Sequence, residues 1–243
     1  MTIAKRFESR NYNAFMKIRF YFDPICPWCW ITSRWMTEVQ KERDLQVEFC
    51  SFSLAVKNNL LDENSDSEYA PMARITHKIL RIVEKIKQDN PDNATELVAA
   101  FYAYIGNKIH VQGETETDHA VEVLESIGLD SSYVDAQEDS SYDKEIKASM
   151  DLAMKSVGND VGVPIMILET DDGDRGFFGP VISELPSADD GKKLFDAIAS
   201  MISLPGFYEL KRTREISPNT ASTARLFDSQ AIDGIEGEAC SIG

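Results

Sequence analysis

The spacing of apolar side chains changes several times along the chain, and each change marks an element. Lys17-Ile18-Arg19-Phe20-Tyr21-Phe22 alternates apolar with amphipathic residues and is rich in aromatics, the two-residue period of a strand, and Asp23-Pro24 ends it. From Trp28 to about Glu42 the period lengthens. Trp28, Ile31, Trp35 and Val39 recur three and four apart, as on one face of a helix. Leu45 to Phe52 reads as a strand again. Strand, helix and strand within about forty residues predict a βαβ unit with parallel strands and a right-handed crossover.

From Lys57 to Gly158 no strand pattern stands out. Met72, Ile75, Ile79, Ile82, Val83 and Ile86 share a helical face. Glu96 to Ile105, Asp118 to Ile127 and Asp143 to Val157 are further helical stretches, with Gly128 and Gly158 placed to stop them. Strand signals then return. Pro164 precedes the apolar run Ile165-Met166-Ile167-Leu168, Asp171-Asp172-Gly173-Asp174 is a turn, and Arg175-Gly176-Phe177-Phe178 comes back as a short strand. Ser187 is placed to cap a last helix, with Asp189 and Asp190 in its first turn and Leu194, Ile198 and Ile202 on its buried face. Residues 1–56 and 159–216 therefore read as one discontinuous sheet domain. Residues 57–158 form an all-helical insertion, and 217–243, without periodicity, a flexible and dispensable tail.

Composition narrows the function. The chain has 243 residues, and its 41 acidic against 25 basic side chains give a formal charge of −16. A field of that sign repels phosphate backbones, so nucleic acid is excluded as a general partner. No run approaches the ~18 apolar residues of a membrane span, and the first residues lack the apolar core of a secretory signal. A soluble cytoplasmic protein is expected.

Two of the four cysteines, Cys26 and Cys29, form a C-x-x-C pair at the start of the first helix, while Cys50 and Cys240 stand alone. In a reducing compartment such a pair is half a zinc site or a redox dithiol. Zinc needs two more ligands at suitable spacing, and His77, His110 and His119 are scattered, so no metal is expected. The dithiol fits better. A first cysteine at the cap meets free N–H groups and the positive end of the helix dipole, which favour a thiolate. Pro27 falls at the first helical position, where its missing N–H costs nothing. Cys29 lies one turn along, within bonding reach. Cys26 is expected to face solvent and to be the attacked sulfur, with Cys29 shielded by Trp28 and Trp30. Trp35 and Cys50 read as core residues.

Five motifs in order carry a resemblance. They are Asp23 through Trp35 with its Cys26-Pro27-Trp28-Cys29, then Gly106-Asn107-Lys108-Ile109-His110, then Val157 through Pro164, then Phe177-Phe178-Gly179-Pro180-Val181, and finally Phe207 through Arg214. Over residues 17 to 216 the chain resembles DsbA-like thioredoxin-fold oxidoreductases, and among them the actinobacterial mycothiol-dependent nitroreductase family. The resemblance implies an α/β thioredoxin fold with a large helical insertion, and a cis bond at Val163–Pro164 facing the dithiol. It also implies a substrate cleft lined by Trp28, Asn58 and Tyr69, with Asn107 and His110 as further cleft residues. Val163 stands where close relatives often have threonine. Phe20 stands where thioredoxins bury an aspartate, so proton transfer at Cys29 must use another group or water, and His110 is a candidate if folding brings it there.

The function this implies is a thiol–disulfide oxidoreductase with no tightly bound cofactor. Mycothiol or another low-molecular-weight thiol would reduce it, and its substrate would be a disulfide or nitroaromatic compound. No flavin motif or glycine-rich nucleotide loop supports a conventional nitroreductase. A DsbA-type protein disulfide oxidase or isomerase is the alternative, and a non-catalytic redox sensor a third reading. The glutathione-dependent isomerase branch commonly has serine at Cys26, and the intact dithiol argues against it. A homodimer is an open expectation.

Overall fold

The alternation in β1 (Met16–Phe22) decides how the sheet is covered. Ile18, Phe20 and Phe22 are fully buried, and Phe20 and Phe22 meet Phe49 edge to face at 5.6 and 5.8 Å. In this computed structural model, which describes residues 15–114, 119–170 and 173–227, β1 lies parallel to β2 (Leu45–Ser51). On its other side β1 is antiparallel to β3 (Ile165–Leu168), which pairs antiparallel with β4 (Arg175–Phe178). The order is β2-β1-β3-β4. The parallel pair requires a crossover, and α1 (Pro27–Gln40) supplies it. Trp35 of α1 packs on Phe195 of α7 (Ala188–Ile202), and its indole N–H donates to the Gly191 carbonyl at 3.0 Å.

Among its described residues the insertion holds helices joined by turns and loops, and no strand. It runs through α2 (Leu54–Lys57), α3 (Ala70–Asp89), α4 (Ala94–Asn107), α5 (His119–Ser126) and α6 (Asp143–Val157). Lys108–Gln112 continue α4 as a π-helix, and two 3-10 turns, Ser131–Glu138 and Ser140–Tyr142, precede α6. Ile79, Ile82, Val83 and Ile86 are buried as the spacing predicts, while Met72 and Ile75 are half-buried. The expected starting residue Asp118 and the turn residues Asp171 and Asp172 lie outside the described residues.

Polar contacts fasten the insertion to the sheet. The Ser51 hydroxyl donates to Glu84 of α3 at 2.5 Å. His77 donates from Nε2 to Asp143 of α6 at 3.1 Å and accepts at Nδ1 from Ser53 at 2.9 Å. Burial holds His77 below its ordinary pKa, which suits this neutral tautomer. Although its order is Ser–His–Asp, the group is a strut. Ser53 is fully buried at the cap of α2, out of reach of any substrate.

The expectation of a flexible tail from residue 217 fails at its first turn. Thr220–Leu226 form a 3-10 helix. Thr223 is fully buried, and its Oγ1 accepts the Trp30 indole N–H at 2.9 Å. Phe227 stacks on Trp30 at 5.7 Å between ring centroids, and Thr220 donates to the His110 carbonyl at 2.7 Å. Sequence periodicity misses such a segment because a short 3-10 helix held by hydroxyls has no repeating apolar face. Cys240 lies outside the described residues.

Thr223→Val keeps the side-chain volume but leaves the Trp30 N–H unpaired in the core. Such a loss costs about 1–3 kcal/mol. Urea unfolding should show this fall in stability, and truncation after Ser217 should cost more, since it also strips Phe227 from Trp30. An unchanged midpoint for both variants would mean that the segment is as dispensable as its sequence suggests.

Candidate active site

The dithiol sits where β1 ends and α1 begins. Asp23 accepts a turn bond from the Cys26 N–H at its carbonyl (3.0 Å) and leads the chain into Cys26. Cys26 is the N-cap of α1, its sulfur accepting the Cys29 N–H at 3.3 Å, and Pro27 occupies the first helical turn. β3 runs antiparallel to β1, so its leading residues arrive at this same end of the sheet. The Val163–Pro164 bond is cis, as the resemblance implies, and the Cys26 thiol donates to the Val163 carbonyl at 3.7 Å. Cys26, Cys29, Pro27, Trp28, Val163 and Pro164 are thus brought together.

The two sulfurs differ. Cys26 was expected to face solvent but is only 5% exposed, because Val163 covers it. Cys29 is fully buried. Burial pushes the Cys29 thiol well above the usual range, its hydrogen bond to Cys26 and the charges of Cys26 and Asp23 push it the same way, and a hydrogen bond from the Asp23 backbone pulls it down. Both are free thiols. Cys50 is also a free, buried thiol, pushed by desolvation to about 12 and therefore inert at neutral pH.

Asp23 is the residue that sequence reasoning missed. It is fully buried, its Oδ1 accepts the Ile25 N–H at 2.9 Å, and its Oδ2 accepts the Leu54 N–H at 2.6 Å. Burial raises its pKa to about 6 against those bonds, which pull it down. The carboxyl therefore ties the loop before the dithiol to the start of α2, and it is a titratable group whose charge acts on Cys29. Its sequence signal is an Asp-Pro that ends β1 and opens the first shared motif, and nothing in that pattern marks a buried acid.

The other expected cleft residues divide. His110, on the π-helix, donates from Nε2 to the Pro24 carbonyl at 2.8 Å and stacks on Trp30 at 5.8 Å. Burial lowers its pKa to about 4, so it is neutral and buttresses the Asp23-Pro24 loop. Asn107 is buried one turn earlier, its Oδ1 without a hydrogen-bond partner among the described residues. Gly106 beside it is required by contact, since a methyl group there would overlap the Trp30 ring. Asn58, at the C-terminal end of α2, and Tyr69, 63% exposed at the start of α3, make no hydrogen bond to the motif among the described residues. Trp28 is half-buried, and the Arg214 guanidinium lies 5.4 Å over its ring.

A parallel βα crossover with a dithiol capping its helix, a cis-proline at the head of the neighbouring antiparallel strand and a helical insertion define a DsbA-like thioredoxin fold. Solved structures share it. A putative protein disulfide isomerase from Nitrosomonas europaea superposes with a TM-score of 0.51 at 14% identity, over 76% of this chain and 98% of that one. The cytosolic disulfide reductase DsbM from Pseudomonas aeruginosa gives 0.51 at 17% identity, over the same shares of 76% and 98%. Among curated proteins, the uncharacterized protein Rv2286c of Mycobacterium tuberculosis is 27% identical over 204 residues, 81% of this chain and 82% of that protein. Residues 25–212 match the Rv2466c-like family, described as mycothiol-dependent nitroreductase Rv2466c, and the chain belongs to that family. It is an oxidoreductase family. No helix among the described residues is long and apolar enough to cross a membrane, and no group of three or more His, Cys, Asp or Glu among them is arranged to hold a metal ion.

The sign of the pH effect of Asp23 follows from its raised pKa. Its protonated form stabilises the fold fully below its ordinary value of 3.8, and this contribution is lost as pH rises through about 6. The stability of wild type minus that of Asp23→Asn should therefore fall by up to about 3 kcal/mol between pH 4 and pH 7. Denaturant titrations of both proteins across that range check it. A constant difference would show that the carboxyl titrates normally.

Proposed function

We propose that the protein is a cytoplasmic dithiol–disulfide oxidoreductase in which Cys26 exchanges with the substrate and Cys29 resolves. The observation that carries this reading is the asymmetry of the pair. One sulfur caps a helix beneath the Val163 carbonyl, and the other is sealed a turn inside with its proton held. The Cys26 thiolate attacks one sulfur of a disulfide, whose S–S bond breaks and releases one thiolate. Cys29 then gives up its proton and attacks Cys26, releasing the second thiolate and closing the protein disulfide. Two electrons pass from protein to substrate. The Asp23 carboxylate is the acceptor we assign for the Cys29 proton, since it is the buried acid whose charge Cys29 feels.

Two molecules of a low-molecular-weight thiol restore the dithiol and leave as their own disulfide. Family membership supports mycothiol as that thiol and nitroaromatic compounds as alternative oxidants. Trp28 and Pro27, with the Val163–Pro164 backbone opposite, would receive the substrate. Asn58, Tyr69, Asn107 and His110 would line or support the cleft around them.

Intact-mass analysis after exposure to oxidised mycothiol, with oxidised glutathione alongside, tests the roles. Cys29→Ser should accumulate a mixed disulfide, a mass increase of one bound thiol on residue 26. Cys26→Ser should carry none. Adducts formed faster with mycothiol would name the donor. An adduct on Cys29 in Cys26→Ser, formed as readily as the reverse, would overturn the assignment.

A further inference from the structure

The Phe207–Arg214 motif forms no helix or strand, yet it is fixed at both ends. Phe207 stacks on Phe177 of β4 at 5.7 Å. Further on, the Asn219 N–H donates to the Ser183 carbonyl at 2.7 Å, and the Ser183 hydroxyl donates to the Ile216 carbonyl at 3.4 Å. Between these anchors residues 208–217 are all exposed, including Tyr208 (84%) and Leu210 (73%). The strap carries Lys211, Arg212 and Arg214, and none of them has an ion-pair partner among the described residues. Arg19, Arg43 and Arg81 pair with carboxylates, and Arg34, Arg74, Arg175 and Arg225, like the strap's arginines, have no ion pair among the described residues. What sets Arg214 apart from the other unpaired arginines is its place over the ring between the two cysteines.

Arg214 is held by the ring face of Trp28, the residue between the two cysteines. Such a contact orients the guanidinium while leaving its N–H donors unused. That planar fork matches a planar group with two oxygens, and it offers a local attraction in a protein whose net charge of −16 repels anions. We propose that Arg214 is a specificity-determining residue that binds a carboxylate or nitro group on the molecule exchanging with Cys26, seating it over Trp28. The proposal rests on the dithiol reading above.

The test uses the reduced full chain in single turnover with three disulfides: diphenyl disulfide, bis(4-nitrophenyl) disulfide and 4,4′-dithiodibenzoate. Dividing each wild-type rate by the variant's rate removes the intrinsic reactivity of the disulfide. Arg214→Ala should lose about ten-fold more on the carboxylate or nitro disulfide than on diphenyl disulfide, the equivalent of about 1.4 kcal/mol. The arm that shows the loss names the group. Arg214→Lys should recover part of it, and added salt should erode a carboxylate effect in wild type but not in Arg214→Ala. Arg212→Ala removes an equal charge from the strap, with no ring contact to Trp28 among the described residues, and should show no selective loss. Equal ratios on all three disulfides, or the same selective loss in Arg212→Ala, would overturn the assignment. A wild-type protein that exchanges with none of them would overturn the dithiol reading and this proposal together.

Discussion

The encasement of Trp30 is the constraint on which the site depends. Its indole is fully buried directly after Cys29, so whatever surrounds it also sets the start of α1. His110 and Phe227 stack on it, Tyr102 meets it edge to face, Arg34 lies 4.7 Å over it, and Gly106 lets the end of α4 approach. Its N–H, which would be costly to bury alone, ends on Thr223. One side chain thus gathers the insertion, the first helix and the C-terminal 3-10 turn around the dithiol. Arg34 belongs to this packing. It is buried with no carboxylate partner among the described residues, and desolvation lowers its pKa to about 10, which leaves it charged under the rings.

Elements governed by local periodicity were legible in the sequence. The strands at 17–22, 45–52, 165–168 and 175–178 and the helix capped by Ser187 all appear within a residue or two of their expected bounds. Each repeats its apolar side chains at its own period, and that period needs no distant partner. Cys26 and Cys29 were legible for a related reason. Their chemistry follows from a cap, a proline and one helical turn, all within four residues.

What escaped was set by tertiary contact. Asp23 looks like a strand-ending residue until the start of α2 brings the Leu54 N–H to its second oxygen. Thr223 looks like part of a polar tail until Trp30 needs an acceptor. The exposure of Cys26 could not be read from its capping position, because the covering carbonyl comes from Val163, 137 residues away. The π-helical turn at Lys108–Gln112 carries His110 to the Pro24 carbonyl, and no spacing rule distinguishes it from a continuing α-helix.

These contacts also bear on our assignment of Asp23 as the acceptor of the Cys29 proton. A carrier must change charge near the working pH and must sense the sulfur. His110 fails on both counts. Its Nε2–H is committed to Pro24, its pKa near 4 keeps it neutral, and it is not among the leading causes of the Cys29 shift. Asp23 meets both requirements, with a pKa near 6 and a charge that raises the Cys29 thiol. On that assignment the site keeps an acid although Phe20 stands where thioredoxins bury an aspartate. The acid has moved three residues along, from the strand to the loop that His110 braces and Leu54 caps. Placed there, the acid we assign would couple proton transfer to the junction of sheet and insertion. When Cys29 and Asp23 change protonation, the Leu54 bond at the start of α2 changes strength with them.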